Sequence, residues 1–308
     1  MSATDADRAS LIEKAAQRLR QTVPESGGGR AADRGPGFDG APPRTVPADR
    51  PTEPAQQSVE VPIDLPGLKA QGYLTPDTGT SALSEEFRII KRPLLDNAFG
   101  QGAEVVPHGN LILVTSAAPG EGKTFTAMNL AMSIAMEMDK TVLLIDADVG
   151  RARIHDLLKV PRGPGLIELL AGETPSVADV LVRTNVPKLR VIPVGRFHPY
   201  AAELLASENM RRLARDLERR YRDRVVIFDA PPILAASDPA VLSGLVGQVV
   251  FVVNAGATPQ RAVLDALSVV DRGKPVGMVL NRARKSGGSN YYGYGAYGDV
   301  PRDGAKTV

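Results

Sequence analysis

A glycine-rich loop that ends in lysine and threonine contains the residue types best suited to chemistry. It runs from Ala117 to Thr124 and has the form [GA]-x-x-x-x-G-K-[ST]. In such loops the backbone N–H groups turn inward on a polyphosphate, the lysine reaches the β- and γ-phosphates, and the threonine hydroxyl binds Mg²⁺. We therefore expect ATP and Mg²⁺ here, with Lys123 also acting in catalysis. The expected nucleotide contacts are Ala118, Pro119, Gly120, Glu121, Gly122, Lys123, Thr124 and Phe125.

The sequence around the loop has the context that a phosphate-binding loop requires. An apolar strand pattern begins at Leu111, and an apolar helical pattern covers 123–138. The positive end of that helix would face the bound anion. Ala117 replaces the usual first glycine, which costs little only if this residue keeps a negative φ. The competing dinucleotide fingerprint G-x-G-x-x-G fails, because Phe125 stands at its third glycine position.

Polar side chains follow the ends of three other apolar runs. Asp146 and Asp148 close one run, Asp229 closes a second, and Asn281 closes a third. Unbroken Val/Ile/Leu runs separated by helical patterns are typical of a parallel sheet covered on both faces, so we predict a doubly wound, mostly parallel α/β fold. Ligands of such sheets lie at the carboxyl ends of the strands. The further expected elements are strands over 190–194, 225–229, 249–253 and 276–281, and a helix over 201–221.

Carboxylates at two strand ends beside a triphosphate indicate a magnesium site. Mg²⁺ takes few protein ligands and keeps several waters, so Thr124, Asp146 and Asp229 would suffice. Phosphoryl transfer also needs a group that accepts the proton of the incoming hydroxyl. Asp146 and Asp148 are both candidates for this base, and the sequence does not decide between them.

The composition divides the chain into four predicted segments. A short amphipathic helix is predicted within 1–23, followed over 24–80 by a disordered Pro- and Gly-rich linker that cannot bury enough surface to offset its ordering entropy. A short apolar stretch at 59–74 could still pack on the globular domain. The P-loop domain is predicted over 81–285, and a flexible tyrosine-rich tail over 286–308.

The predicted domain opens with a helix that carries a stripe of charge. Ser84 has the residue type of an N-cap, and Pro93 is expected to end or kink the helix. Glu85, Arg88 and Lys91 follow at i, i+3 and i+6, so they line one side. Such a stripe is either a solvated face or a contact between subunits.

Four of the chain's seven tyrosines lie close together near its C-terminal end. One interpretation, which assigns no function, is low-complexity sequence that cannot form a core. Beside an ATP site, exposed tyrosines flanked by small residues are better interpreted as phosphate acceptors. Phosphorylating all four would add about −6 to −8 charge. The candidate acceptors are Tyr291, Tyr292, Tyr294 and Tyr297.

The overall composition excludes several classes of protein. Lys and Arg number 37 and Asp and Glu 35, a formal net charge of +2, so a nucleic-acid partner is not indicated. The chain has no cysteine, which excludes disulfides and thiolate metal sites. No apolar run approaches the roughly 18 residues that span a bilayer, and no signal peptide is predicted. We expect a cytoplasmic protein.

Five features in this order resemble the bacterial tyrosine kinase (BY-kinase) family, and within it the exosortase-associated autokinases of exopolysaccharide systems. They are the charged helix, the loop 117–124, the strand ends at Asp146/Asp148 and at Asp229, and the tyrosine tail. Two departures accompany the resemblance. Lys91 stands where the family's helix motif Glu-x-x-Arg-x-x-Arg has its last arginine. Arg151 comes one residue later than in the motif Asp-x-Asp-x-Arg.

The resemblance implies a non-specific protein-tyrosine kinase that regulates exopolysaccharide polymerisation and export. It also implies ring-like self-association through the charged helix, and phosphorylation of each tail by a neighbouring subunit. A membrane-anchored polysaccharide chain-length determinant (co-polymerase) protein would activate the kinase and hold it at the inner face of the plasma membrane. Asn281 and Arg282 match the family's contact with the nucleotide base.

Two other functions stay open from the residues alone. Partitioning and cell-division ATPases share this type of P-loop fold but act as dimerising switches. They place a signature lysine where this sequence has Ala118, and they lack a tyrosine tail. A non-catalytic ATP-binding scaffold of a polysaccharide export complex is the other possibility, because a complete site shows capability and not turnover.

Overall fold

The computed structural model describes residues 60–100, 105–220, 223–236 and 238–283. The predicted N-terminal helix, most of the predicted linker and the tyrosine cluster lie outside the described residues. Within these ranges, no helix is both long enough and apolar enough to cross a membrane.

Strands and helices alternate along most of the described chain, as expected for a sheet built from βαβ units. The strands are β1 Glu60–Val61, β2 Leu111–Ser116, β3 Thr141–Asp146, β4 Val182–Thr184, β5 Leu189–Ile192, β6 Arg224–Asp229, β7 Gln248–Asn254 and β8 Val276–Asn281. The helices are α1 Leu65–Ala70, α2 Ala82–Phe99, α3 Lys123–Ala135, α4 Arg153–Leu158, α5 Leu166–Ala171, α6 Val177–Val180, α7 Ala201–Leu205, α8 Glu208–Arg220, α9 Asp238–Leu245 and α10 Gln260–Ser268.

The described strands form one 8-stranded sheet in the order β1-β4-β5-β3-β6-β2-β7-β8. Neighbouring strands are parallel except for β4 and β5, which are antiparallel. The inner strands are almost entirely buried runs of apolar residues, which are stable as strands when helices cover both faces. An apolar cluster lies on each face of the sheet. The predicted doubly wound, mostly parallel α/β fold is confirmed.

The packed domain begins earlier in the chain than the sequence indicated. Val61, Ile63, Leu68 and Leu74 are each at most 6% exposed and belong to one of the two apolar clusters. The predicted linker is therefore wrong for residues 60–80, where the structure has a strand, a helix and core side chains. The sequence signal was weak because short apolar pieces between prolines and glycines show no long periodic pattern.

Two amide side chains hold this N-terminal segment on the domain. Asn185 accepts a hydrogen bond from the N–H of Ile63 at 2.9 Å and donates one to the Ile63 carbonyl at 3.1 Å. Asn129 in α3 is fully buried, accepts from the N–H of Leu74 at 2.6 Å and donates to the carbonyl of Phe125 at 2.9 Å. Because Phe125 lies in the first turn of α3, the segment is tied to the helix that follows the phosphate loop.

Helix α2 differs from its prediction at both ends. It begins after Ser81, whose hydroxyl accepts from the N–H of Ser84 while the Ser84 hydroxyl accepts from the N–H of Ser81. Ser84 is thus the third helical residue of a capping box and not the N-cap. Pro93 does not end the helix, which continues to Phe99. Since Pro93 lies on the exposed side, water can reach the carbonyl that loses its helical partner.

Other predicted boundaries shift by a few residues. The helix expected over 123–138 ends at Ala135, and the strand expected over 190–194 ends at Ile192. The helix expected over 201–221 is divided into α7 and α8. The hydroxyl of Ser207 causes this division, because it accepts from the N–H of Met210 and so caps the start of α8.

A pair of truncations tests the corrected domain boundary. A chain that starts at residue 58 keeps every described element, so we expect it to unfold at nearly the same temperature as the full chain. A chain that starts at residue 81 loses four buried aliphatic side chains, worth roughly 6–12 kcal/mol at 1.5–3 kcal/mol each. We expect no cooperative transition from it in thermal unfolding followed by circular dichroism. Equal transitions in both chains would contradict this boundary.

Candidate active site

A cavity of about 1110 Å³ opens at the carboxyl ends of the central parallel strands. This is the edge at which open α/β sheets bind their ligands. Several predicted residues line the cavity: Pro119, Gly120, Gly122, Lys123, Thr124, Phe125, Asp148, Asn281 and Arg282. The structure therefore gathers side chains from three separate strand ends around one space. Ala118, Glu121, Asp146 and Asp229 are not among the residues that line it.

The phosphate-binding loop has the backbone that its glycines allow. Gly120 and Gly122 have φ angles of 83° and 100°, a left-handed conformation that suits glycine. Ala117 does not have a positive φ, so the replacement of the usual glycine costs little. No side chain caps α3, which begins at Lys123. Its first N–H groups are therefore available to an anion.

The side chain of Glu121 supports the loop on its buried side and does not line the cavity. Its side chain is buried, and one carboxylate oxygen accepts a hydrogen bond from the N–H of Ala118 at 2.8 Å. The other oxygen accepts from the hydroxyl of Thr258, which itself accepts from the N–H of Asn254 at 3.0 Å. The expected nucleotide contact of Glu121 can thus involve only its backbone. The sequence carried no signal for this brace, because Thr258 is distant along the chain.

Asn281 lies directly against the loop. Its side-chain nitrogen donates to the carbonyl of Glu121 at 2.8 Å, and a Cβ added to Gly122 would come within 2.0 Å of that nitrogen. Its side-chain oxygen accepts from the N–H of Arg282 at 2.9 Å. Position 122 therefore requires glycine for two reasons, its positive φ and the close approach of Asn281.

Two buried carboxylates lie side by side below the cavity. Asp146 and Asp229 are partners in the register of β3 and β6, and they are 0% and 1% exposed. Asp146 accepts hydrogen bonds from the N–H groups of Asp148 and Ile154 at 3.2 and 3.3 Å. Neither oxygen of Asp229 has a donor in hydrogen-bond geometry, although Thr124 is close enough to lower its pKa.

The electrostatics of this pair fit a divalent cation. Burial raises the pKa of Asp229 to about 7 and that of Asp146 well above its usual range, and the charge of Asp229 raises the pKa of Asp146 further. Two buried carboxylates without a counter-ion are unfavourable, and Mg²⁺ prefers oxygen ligands of this kind. Among the described residues, no group of three or more His, Asp or Glu side chains could hold a metal. An ion here would accordingly need oxygens of the nucleotide and water as well.

Asp148 faces the cavity, whereas Asp146 does not. One Asp148 oxygen accepts from the N–H of Arg151 at 3.1 Å. Burial raises the pKa of Asp148, and the charge of Lys123 opposes that shift. Burial likewise lowers the pKa of Lys123, against the charges of Asp148 and Asp229. Of the two candidates for the base, Asp148 is the one that a substrate in the cavity can reach.

Part of the cavity wall was not predicted from the sequence. Tyr73, from the segment assigned to the linker, packs on Phe125 with ring centroids 5.1 Å apart. Burial and the charge of Asp229 raise its pKa, while Arg153 opposes the shift. Arg153 opens α4 and lines the cavity together with Arg151. A motif with one fixed arginine position could not indicate that two arginines lie here.

Lys91 does not belong to the exposed charged stripe. It is 6% exposed, donates to the carbonyl of Ser133 at 2.7 Å and pairs with Glu137 at 2.6 Å. Glu85 and Arg88 stay partly or fully exposed and pair with each other at 2.6 Å. The stripe thus has two members, because α2 turns its third position toward the end of α3. The four predicted acceptor tyrosines lie beyond the described ranges.

Comparisons with known proteins agree with this geometry. Residues 109–250 match the family described as AAA domain. The chain is 33% identical over 214 residues to the tyrosine-protein kinase YwqD of Bacillus subtilis, an alignment that covers 69% of this chain and 86% of YwqD. It is 34% identical over 246 residues to the tyrosine-protein kinase wzc of Salmonella typhimurium, covering 79% of this chain but 33% of wzc. The kinase domain of the Escherichia coli tyrosine kinase ETK has a TM-score of 0.61 and 29% identity, covering 77% of this chain and 93% of that domain.

These similarities show that the chain belongs to the bacterial tyrosine kinase family. It is a protein-tyrosine kinase built on a P-loop nucleotide-binding domain. It spans most of YwqD but about a third of the longer wzc.

Replacing Asp229 with asparagine tests whether the buried pair Asp146/Asp229 binds a cation. Asp229→Asn removes one buried charge and lets the new amide donate to Asp146, so we expect the free energy of unfolding without ligands to rise by about 1–2 kcal/mol. The extra stability conferred by Mg²⁺ with ADP should disappear. Urea unfolding with and without both ligands measures the two effects. Asp216→Asn, on the exposed side of α8, is the control and should change neither. A less stable Asp229→Asn protein that Mg²⁺ and ADP still stabilise fully would refute the cation site.

Proposed function

We propose that the kinase is an autokinase whose acceptors are the tyrosines of its own C-terminal tail, and that each tail is phosphorylated by a neighbouring copy with ATP and Mg²⁺. The observation that supports this best is that Lys123 and Asp148 line one cavity, with the buried pair Asp146/Asp229 below it. The expected acceptors are Tyr291, Tyr292, Tyr294 and Tyr297.

The proposed transfer needs one proton acceptor and neutralisation of phosphate charge. The phenolic oxygen of an acceptor tyrosine attacks the γ-phosphorus, the bond from that phosphorus to the β,γ-bridging oxygen breaks, and ADP leaves. Asp148 takes the phenolic proton, since it faces the cavity. Lys123 neutralises the β- and γ-phosphates from the start of α3, together with the N–H groups of the loop.

Thr124, Asp146 and Asp229 would hold Mg²⁺, which neutralises phosphate charge when bound. The Mg²⁺ ligands and the base are thus separate carboxylates. At the other end of the cavity, Asn281 and Arg282 are proposed to contact the nucleotide base. Asn281 already fixes the loop beside it, so the same side chain would link base binding to loop geometry.

We further propose a role in regulating exopolysaccharide polymerisation and export. A membrane-anchored chain-length determinant protein would be the activator and would keep the kinase at the inner face of the plasma membrane. The support for this is the resemblance to the autokinases of exopolysaccharide systems.

Phosphate mapping by intact and tandem mass spectrometry tests the autokinase directly. The full chain is incubated with ATP and Mg²⁺, with and without the cytoplasmic segment of the proposed chain-length determinant protein. We expect stepwise mass gains confined to the four tail tyrosines, faster with that segment, and none in Lys123→Met. ATP hydrolysis with no gain on tyrosine under either condition would refute the autokinase. An equal rate with and without the segment would refute the activator alone.

Self-association is proposed to use the exposed part of α2. Glu85 and Arg88 are accessible there, and each could exchange its partner within the helix for one on a neighbouring copy. A bidentate contact between arginine and carboxylate is worth more across an interface than on an open surface, where an ion pair contributes about 0–1 kcal/mol. Lys91 would contribute indirectly, because its bonds to Ser133 and Glu137 fix how α2 lies on α3.

Reversing one charge on α2 tests this interface. We expect Arg88→Glu to convert the oligomer into monomers at micromolar concentration, because two like charges would then meet at positions 85 and 88. Light scattering after size exclusion measures the mass. Arg212→Glu makes the same charge change on α8, which packs on the other face of the sheet, and should leave the mass unchanged. An oligomer that survives Arg88→Glu would show that α2 is not the interface.

A further inference from the structure

A second groove, of about 630 Å³, adjoins the nucleotide cavity beyond β3 and β5. Val149, Gly150 and Asp156 line both spaces, so the groove leads into the cavity. Arg162 and residues 195–199 form its outer part. We propose that this groove, called the acceptor groove below, binds the tyrosine-rich segment 291–298 of a neighbouring copy while one of its tyrosines receives phosphate. The proposal rests on the proposed function and adds the place where the acceptor binds.

A buried carboxylate holds the loop of the acceptor groove in one conformation. Glu168 is 3% exposed and accepts hydrogen bonds from the backbone N–H and the Nε of Arg196, both at 2.9 Å, and from the N–H of Gly165 at 2.8 Å. Gly195 has a φ of 98°, and a Cβ on Gly165 would come within 2.4 Å of its nitrogen. The loop is therefore preorganised, and the side chains that it presents to solvent are fixed.

This preorganised loop exposes aromatic side chains beside the groove. Phe197 is 93% exposed and Tyr200 is 64% exposed. A phenylalanine left in water contributes nothing to folding, whereas rigid aromatic side chains are frequent anchors of binding surfaces. Arg162 is also exposed and forms no ion pair with any described residue, so its guanidinium can stack on an aromatic ring or pair with a phosphate.

The tyrosine-rich segment has the chemistry that this surface would recognise. Residues 286–298 carry no charge, and the residues that separate the tyrosines are glycine and alanine. These small residues let the backbone approach a narrow groove, while the rings are large enough to contact Phe197 and Arg162. Tyr291 follows Arg282 by nine residues, a span of at most about 30 Å when extended, which sets how far the cluster of one copy can reach toward the groove of another.

A mixture of two full-length proteins tests the acceptor groove, because one protein can act only as the kinase and the other only as the acceptor. The kinase copy has its four tail tyrosines replaced by alanine, so its own tail neither accepts phosphate nor offers a ring. The acceptor copy carries Lys123→Met and a tag that distinguishes its mass. The initial rate of acceptor phosphorylation is measured against the concentrations of acceptor and of ATP.

Phe197→Ala in the kinase copy should raise the acceptor concentration for half-maximal rate by roughly fivefold to tenfold, and Arg162→Ala by a smaller factor. The ATP concentration for half-maximal rate should stay within about twofold, since neither residue lines the nucleotide cavity. Phe197→Ala in the acceptor copy should change nothing. The matched control is Met138→Ala in the kinase copy. It removes a side chain that is 90% exposed and lies just before β3, at the end of the sheet away from the groove.

Two results would count against this assignment, and they differ from failure of the proposed function. An unchanged acceptor concentration with both groove variants, or an equal effect of Phe197→Ala in either copy, would overturn the acceptor groove while the autokinase stands. Absence of any label on the acceptor tail, even with the unsubstituted groove, would overturn the autokinase and the groove with it.

Discussion

The register between β3 and β6 is the constraint on which the rest of the site depends. It places Asp146 beside Asp229 at the point where two buried strands end. After its first residue each strand is apolar up to that carboxylate, so both carboxylates lie in the interior and not in water. The resulting like-charge pair is unfavourable on its own, and the large apolar core on both faces of the sheet offsets that cost. The fold thus favours a bound cation directly below the phosphate-binding loop.

The loop above this pair is fixed by side chains that never meet the ligand. Glu121 joins the start of the loop to Thr258 after β7, and Asn281 joins it to the end of β8. These contacts come from the strands on one side of β2, while the carboxylate pair comes from those on the other. A loop fixed by such contacts loses little conformational freedom when a nucleotide binds, which is the advantage of preorganisation.

The sequence was sufficient for the central sheet and for the residues that end its strands. Long apolar strands must be buried on both faces of the sheet. Because they are parallel, their carboxyl ends bring Lys123, Asp148 and Asn281 to one edge of the sheet. It was insufficient where a residue's role depends on a distant partner. Lys91 has the spacing of an exposed stripe, yet the carbonyl of Ser133 and the carboxylate of Glu137 draw it inward. The roles of Lys91 and Glu121 are both set by tertiary contacts that periodicity cannot reveal.

The N-terminal segment is the largest such case, and its position has a consequence for function. Its short apolar pieces resemble a linker, but Leu74 is hydrogen-bonded to Asn129 and Tyr73 packs on Phe125, the residue that follows Thr124. Besides the pairing of β1 with β4 and the contacts of Asn185, the segment is therefore joined to α3 through one buried amide and one aromatic contact. Because Asn129 has both of its groups engaged, moving Leu74 would leave a buried acceptor without a donor, which costs about 1–3 kcal/mol. The segment is thus energetically coupled to the phosphate-binding helix, and through Tyr73 it also forms part of the wall of the nucleotide cavity.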